Sequence, residues 1–410
     1  MNRNIATFHW MQLSALASVH FLIDMFASIL PAILPAILKE FSLSLSRGGL
    51  VMAAMYITCN GVQPLAGRMR SGKRQPLLLH LGLILGAAIC LLGVLPRADA
   101  AFSLMLLLAV VSGVGIAIVH PEGLRAVHRL KRIQPGISTA VFMAGGFLGY
   151  AGGGAISAYL VARFGFRGLY PLVLCPLIGI AMVILLRVRL AVEHGAGTPN
   201  QTRTARKSKS GRIDGLPFWL IMVMAMPAAI STTVLATLLP TALNELGFEL
   251  TFGGLSMMVF GLGGAVGSFV WAALGRSRGE LRCSVAALLL VIPFLVVYLA
   301  WIEHRAAVWI LFGAGFCSVS AYILMITLSR YARGLTLGQR MGLIVGGTWA
   351  FAYLVFTALL RVAEQFGSDV LLKFSPLGYL ASGLFGLAVM VKARNSAPKT
   401  APLDQSATKT

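Results

Sequence analysis

A chain of 410 residues with 34 Lys and Arg against 13 Asp and Glu carries a formal net charge of +21, yet only 11% of its residues are charged and 58% are hydrophobic. A soluble domain averages roughly 25% charged and 45–50% apolar residues, so this composition excludes a soluble globular enzyme, a disordered chain and a nucleic-acid binder built on a basic surface. The mean hydropathy of +0.84 and the 45 Gly point to lipid as the solvent, because membrane-spanning helices carry long apolar runs and use Gly freely.

Twelve apolar segments follow one another along the chain. They cover 10–38, 46–66, 77–95, 101–119, 136–162 and 169–187 in the first half, and 217–243, 251–275, 282–301, 306–328, 339–363 and 372–391 in the second. Each is long enough to cross a hydrocarbon core about 30 Å thick at about 1.5 Å per residue. Only a helix satisfies all its backbone polar groups within one such segment. The predicted fold is therefore an all-α membrane protein of twelve transmembrane helices in two six-helix bundles. Residues 1–187 form the first bundle and 217–391 the second. Between them, 188–216 reads as a basic cytoplasmic linker rich in Gly, Ser and Thr, and 392–410 as a disordered cytoplasmic tail. The first apolar stretch is too long for the h-region of a cleaved signal and is read as a span. Cys59, Cys90, Cys175, Cys283 and Cys317 all fall inside apolar runs and read as small buried hydrophobes rather than disulfides or ligands.

Lys and Arg set the orientation. Of the 34, 26 lie at the termini, in the linker and in the loops after spans two, four, eight and ten, against 8 in the other loops. The positive-inside rule then places both termini in the cytoplasm. The basic excess is explained by topology and by anionic lipid at the inner face, so no nucleic acid is needed as a partner. A weak repeat supports the six-plus-six division. Leu34-Pro35 recurs as Leu239-Pro240, Gly48-Gly49-Leu50 as Gly253-Gly254-Leu255, and Gln134 as Gln339. Parallel halves of this kind are one of the repeat arrangements of transporters, with the binding site near the midplane between them.

A charge inside a span is costly and marks a functional candidate. Among the acids only Asp24 lies well inside a span, and Glu122 stands at the end of span four. Asp24 follows His20 by four residues, so both side chains share one helix face. Such a pair can take and release a proton near neutral pH; the alternative is a static polar pair that ties span one to Asn60 or Gln63 of span two. Pro31 and Pro35 should bend span one or interrupt its ladder. After Gly113-Val114-Gly115, span four reaches His120-Pro121-Glu122. This triplet reads either as a hinge or gate at the cytoplasmic mouth or, more simply, as a Pro-terminated helix with a polar end. Its His-x-Glu spacing does not suit a metal site, and neither a metal nor an organic cofactor is expected. Span five carries Gly145, Gly149 and Gly153 at helical spacing, read as tight packing or as a hinge. Tyr56, Asn60, Phe142, Tyr150, Trp349 and Tyr353 are the residues expected to line a central cavity. Neither a His-Glu-x-x-His nor a phosphate-cradling Gly-x4-Gly-Lys-Ser/Thr occurs. An enzyme is not indicated, and any transport must run on a gradient.

These residues resemble the major facilitator superfamily of secondary transporters and, within it, the fosmidomycin-resistance type of bacterial efflux carriers. The resemblance is carried by His20-x-x-x-Asp24, by Gln63-Pro64-Leu65-x-Gly67 at the end of span two, by His120-Pro121-Glu122, and by the antiporter-like run Gly145, Gly149, Gly153-Gly154. Two departures stand out. Ser71 occupies the place of the acid usual after span two, and Tyr150 that of the antiporter motif's proline. The resemblance implies alternating access, export of a small drug-like or amphipathic molecule in exchange for protons handled by Asp24 and His20, a bacterial inner-membrane location and a working monomer. The alternatives are proton-coupled uptake of a small organic solute and, as a third reading, a membrane scaffold or receptor that keeps the fold without transporting.

Overall fold

The computed structural model describes residues 2–69, 73–96, 100–191 and 215–395. The first half contains α1 (Asn2–Glu40), α2 (Leu45–Met69), α3 (Leu77–Gly86), α4 (Ala100–His128), α5 (Pro135–Phe164) and α6 (Cys175–Leu185). The second contains α7 (Phe218–Glu245), α8 (Leu250–Arg278), α9 (Glu280–Ala300), α10 (Ile310–Arg330), α11 (Leu337–Gly342), α12 (Thr348–Phe366), α13 (Ser368–Lys373) and α14 (Ser375–Asn395). Short 3-10 turns extend α3, join α5 to α6 and precede α10, and a π-helical turn over Leu343–Gly347 joins α11 to α12. No strand forms among the described residues; one isolated bridge pairs Pro217 with Arg333. Ten described helical stretches are long and apolar enough to cross a membrane. One of them, Ile137–Leu185, runs 49 residues and contains the positive-φ Gly165 where α5 ends. The 25-residue α2 is not among the ten. Large apolar side chains stand on the outer surface: Ile84, Leu107, Ile178 and Val296 are each more than half exposed, as lipid-facing residues are and a soluble surface seldom is.

Both prolines of α1 sit within continuous helix, so Pro31 and Pro35 leave the element unbroken. Pro121 likewise lies inside α4, which runs on to His128. This corrects the reading of a Pro-terminated helix: a proline in mid-helix removes one N–H donor but does not stop the turn here. Glu122 is 1% exposed and its carboxylate accepts the Leu79 N–H at 3.2 Å in the first turn of α3, where the helix N-terminus favours negative charge. The beginning of the expected linker is tied down. Leu190 N–H donates to the Arg74 carbonyl, and the buried Arg125 guanidinium donates to the carbonyls of Ala191 (2.8 Å) and Lys73 (2.9 Å). Residues 192–214 of that linker, Arg70 and Ser71 of the loop after α2, and 396–410 of the tail lie outside the described residues; 392–395 belong to α14.

Glycine decides how close the helices come. Along α5, a Cβ on Gly145, Gly149 or Gly153 would overlap the backbone of Ala17, Phe21 or Met25 of α1. Both triplets step by four residues, so one small-residue stripe lies flat on one backbone stripe over two turns. Gly113 on one face of α4 meets Met55 of α2, and Gly115 on another meets Gly86 of α3. In the second half, Gly263 and Gly267 of α8 meet the carbonyls of Phe312 and Phe316 of α10. Between halves, α5 meets α8 where Gly254 faces Ala158 and Gly154, and α2 meets α12 where Gly49 faces Leu360. Beside the latter contact the Ser46 N–H donates to the Glu364 carboxylate at 2.6 Å.

Gly149→Val therefore forces α5 off α1 and should cost about 1–3 kcal/mol, the range of core overpacking, read as a lower unfolding midpoint of the protein in detergent. Gly61→Ala, where an added Cβ meets nothing within 4 Å, should leave the midpoint unchanged. Equal behaviour of the two variants would contradict this account of the packing.

Candidate functional site

The α1–α5 seam holds α1 so that one of its faces turns toward α4. His20 and Asp24 stand on that face one turn apart, and the His20 Nε2 lies 3.2 Å from the Asp24 Oδ2. From α4, the His120 Nε2 lies 3.2 Å from the other carboxylate oxygen, Oδ1. One carboxylate is thus held between two imidazoles from two helices. His20 is 2% exposed, Asp24 19% and His120 23%, so the group is shut in behind His20 and reachable past His120. Gly146 keeps the space: a side chain there would run into the Asp24 carboxylate and the His20 ring.

The remaining ring nitrogens face carbonyl oxygens. His20 Nδ1 lies 2.8 Å from the Phe142 carbonyl, and His120 Nδ1 lies 2.8 Å from the Ile116 carbonyl in its own helix. Carbonyl and carboxylate oxygens both only accept, so every ring nitrogen of the two imidazoles faces an acceptor. A neutral ring has one N–H and satisfies one of its two contacts, whereas a protonated ring satisfies both. The two 3.2 Å contacts and the two carbonyl contacts are all hydrogen bonds only when each ring carries two hydrogens. Ring packing holds the arrangement: His20 stacks on Phe142 at 4.1 Å and meets His120 edge-on at 5.0 Å.

A tyrosine chain leads away from this cluster toward the second half. Tyr150 stands one helical turn along α5 from Gly146, where an added Cβ would meet the Asp24 carboxylate. The Tyr150 and Tyr56 hydroxyls are 3.4 Å apart, and Tyr56 also donates to the Ala27 carbonyl at 2.8 Å. The Tyr56 ring stacks on Tyr353 of α12 at 4.4 Å with 7° between planes. The hydroxyl pair joins α5 to α2, and the ring stack joins α2 to α12.

Of the residues singled out from the sequence, His20, Asp24, His120, Tyr150, Tyr56 and Tyr353 are brought together. Others are placed apart. Phe142 is fully buried behind His20 and against Gly123, so it supports the cluster rather than walling a cavity. Asn60 donates to its own helix at the Tyr56 carbonyl (2.7 Å), and Gln63 points to Cys59 Sγ at 3.7 Å. Pro64 packs near Gly342 and Gly346, while Gly67 lies in the last turn of α2, where side chains are outside the described residues. Trp349 pairs edge-on with Tyr322 at 5.0 Å. Pro121 and Glu122 serve α4 and its seam with α3, as described above.

Two features escaped the sequence. The contact of His120 with Asp24 is one, because no spacing rule links α1 to α4. The donor atoms of His20, Asp24 and His120 all lie within 4.8 Å of one another, a grouping able to close round a small cation that the His-x-Glu spacing alone did not suggest. Tyr322, which donates to the Ile344 carbonyl at 2.5 Å in the π-helical turn, was also missed; the Gly346-Gly347 pair was its one signal, since π turns gather at working parts of helices. One apparent motif carries no chemistry. Gly275-Arg276-Ser277-Arg278-Gly279 has the lettering of a nucleophile elbow, which needs a strand-to-helix turn. Here Ser277 lies in the last turn of α8 and donates to the Leu274 carbonyl at 3.0 Å.

The family model of the Major Facilitator Superfamily matches residues 16–355. Fosmidomycin resistance protein of Escherichia coli (strain K12) is 24% identical over 348 residues, covering 83% of this chain and 82% of that protein. Uncharacterized MFS-type transporter YfnC of Bacillus subtilis (strain 168) is 23% identical over 388 residues, covering 88% and 90%. Among solved structures, a bacterial homolog of the human lysosomal transporter Spinster, in an inward-facing and occupied conformation, shares the fold with a TM-score of 0.60 at 14% identity over 93% of this chain and 94% of that one. The chain belongs to the Major Facilitator Superfamily and is a multi-pass membrane transporter rather than an enzyme.

Proposed function

We propose that the protein is a proton-coupled antiporter that exports a small drug-like or amphipathic molecule by alternating access, working as a monomer in the bacterial inner membrane with both termini cytoplasmic. Counting α2 as one crossing and the long Ile137–Leu185 stretch as two brings the spans to twelve, in two bundles that rock about a midplane site. The observation that carries the proton assignment is the Asp24 carboxylate between two Nε2 atoms at 3.2 Å. Export is supported by the name of the E. coli relative, a resistance protein.

The cluster is a switch with a mechanical output. With protons between its partners, Asp24 bonds to α1 and α4 at once and draws them together. With the protons gone, each ring has one hydrogen for two acceptors, and the hold of α4 on Asp24 is weakened. Because α5 lies on α1 through its glycine stripe, and Tyr150 of α5 reaches Tyr56 and then Tyr353, this local change is felt where the halves meet. A substrate lodged among Tyr56, Tyr150 and Tyr353 competes with the protonated arrangement, which gives exchange in place of co-transport.

Proteoliposomes loaded with fosmidomycin, the compound in the relative's name, test the assignment. Wild-type efflux should accelerate when the opposite side is made acidic, with protons moving against the solute, and EDTA should not change it. Asp24→Asn should abolish this gradient dependence while solute-for-solute exchange persists. Full gradient dependence in Asp24→Asn would reject the proton role, and movement of solute with protons would mark an importer.

His120→Phe keeps a ring but removes both nitrogens. Losing one charge-assisted hydrogen bond, about 1.5–3 kcal/mol, should raise the proton concentration needed for half-maximal exchange about ten- to hundredfold. An unchanged proton requirement would place His120 outside the coupling site.

A further inference from the structure

A second polar site lies away from the coupling cluster, at the end of the α8–α9 hairpin. A cavity of about 450 Å³ is lined there by Trp271, Leu274, Ser277 and Arg278 of α8 and by Arg282, Cys283 and Ala286 of α9. The hairpin turns on Gly279, whose φ of +95° is one that residues with a side chain rarely adopt. That turn brings Arg278 and Arg282 to one rim. Both are exposed, and neither has a hydrogen bond or ion pair among the described residues. The buried Arg125, by contrast, spends its guanidinium on the Ala191 and Lys73 carbonyls. The acid of the turn, Glu280, is buried and does not line the cavity. Trp271, 8% exposed, contributes a ring to the wall, and its buried Nε1–H has no acceptor among the described residues.

The apolar side of the cavity continues along the hairpin. On α9, Ala286 at the wall is followed at four-residue steps by Leu290 and Phe294, which are 45% and 37% exposed. On α8, Val270 and Val266, 42% and 48% exposed, continue the line from Arg278 through Leu274. A doubly cationic rim thus stands beside a run of exposed apolar side chains on α8 and α9. A free anion would use only the rim, and a neutral lipid only the apolar run.

We propose that this cavity binds the phosphate headgroup of an anionic glycerophospholipid, with Arg278 and Arg282 on the phosphate and an acyl chain along Leu290 and Phe294. Basic pockets between spanning helices at a membrane surface suit such headgroups, and a guanidinium fork matches phosphate oxygens. The site is independent of Asp24. An occupied headgroup staples α8 to α9 across their turn and so holds the second bundle at the lipid surface.

Native mass spectrometry of the full-length protein in detergent, supplied with dioleoyl phosphatidylglycerol or dioleoyl phosphatidylcholine, tests the assignment. The wild type should retain phosphatidylglycerol in preference to phosphatidylcholine. The double variant Arg278→Gln/Arg282→Gln should bind it about 25-fold more weakly, roughly fivefold per cation lost. Ser277→Asp, which keeps both arginines and adds negative charge at the rim, should show the same direction of loss. Arg305→Gln should retain the lipid, because that residue pairs with Glu249 at a different turn. Three results would overturn the proposal: equal retention by the double variant and the wild type, no preference for the anionic lipid, or complete displacement of the lipid by inorganic phosphate, which would mark a free-phosphate site. Gradient-driven efflux reads the coupling cluster separately, so either assignment can fail without the other.

Discussion

Everything in the proposed mechanism depends on one carboxylate that has two imidazoles and too few protons. Asp24 sits in a span where an unpaired charge costs several kcal/mol. Its partners are constrained by carbonyls behind them, with Phe142 holding His20 and Ile116 holding His120. Each ring thus has an acceptor on both sides, a carbonyl and the carboxylate, and a neutral ring has one hydrogen for the two. On the proposed reading, this shortage makes the cluster a sensor of proton supply.

In the proposed mechanism the glycine seams convert that chemistry into motion of whole helices. A proton that bonds Asp24 to His120 would act on α1 and α4, and the direct contact of Gly145, Gly149 and Gly153 with the α1 backbone would carry α5 with them. Bulky side chains between these helices would absorb the displacement in rotamer changes, whereas backbone laid on backbone transmits it. The same stripe explains why Tyr150 can stand where the antiporter pattern has proline: at this place in α5 the close approach is made by the flanking glycines, and the residue between them is free to reach Tyr56. Across the halves, the Tyr56 ring stacks on Tyr353 while its hydroxyl donates to the Ala27 carbonyl.

The fold class and the family were legible in the sequence because they rest on properties that repeat: apolar runs, Lys and Arg asymmetry, and small residues at four-residue steps. The His20–Asp24 pairing was legible for the same reason, since helical spacing alone brings the two together. What lay between helices was not. Nothing in a single chain says that His120 of α4 faces Asp24 of α1, so its triplet reads from sequence as either a gate or a plain helix end. Helix ends misled as well. Pro121 suggests a stop, yet α4 passes through it, because the packing of Gly113 and Gly115 against two neighbours holds the element in place. Phe142 illustrates a third kind of miss: an aromatic residue in a span reads equally well as cavity wall or as core, and contact with His20 decides for core. Glu122, taken for a polar end, is buried because the first turn of α3 offers it an N–H.

The central claim concerns how many hydrogens two rings carry, and nitrogen NMR of histidine-labelled protein in liposomes reads that directly. The account predicts that His20 and His120 gain and lose their second hydrogen together across the working pH range, in a manner that disappears when Asp24 is replaced by Asn. Rings that keep a single hydrogen throughout that range, or nitrogen signals indifferent to that replacement, would contradict it.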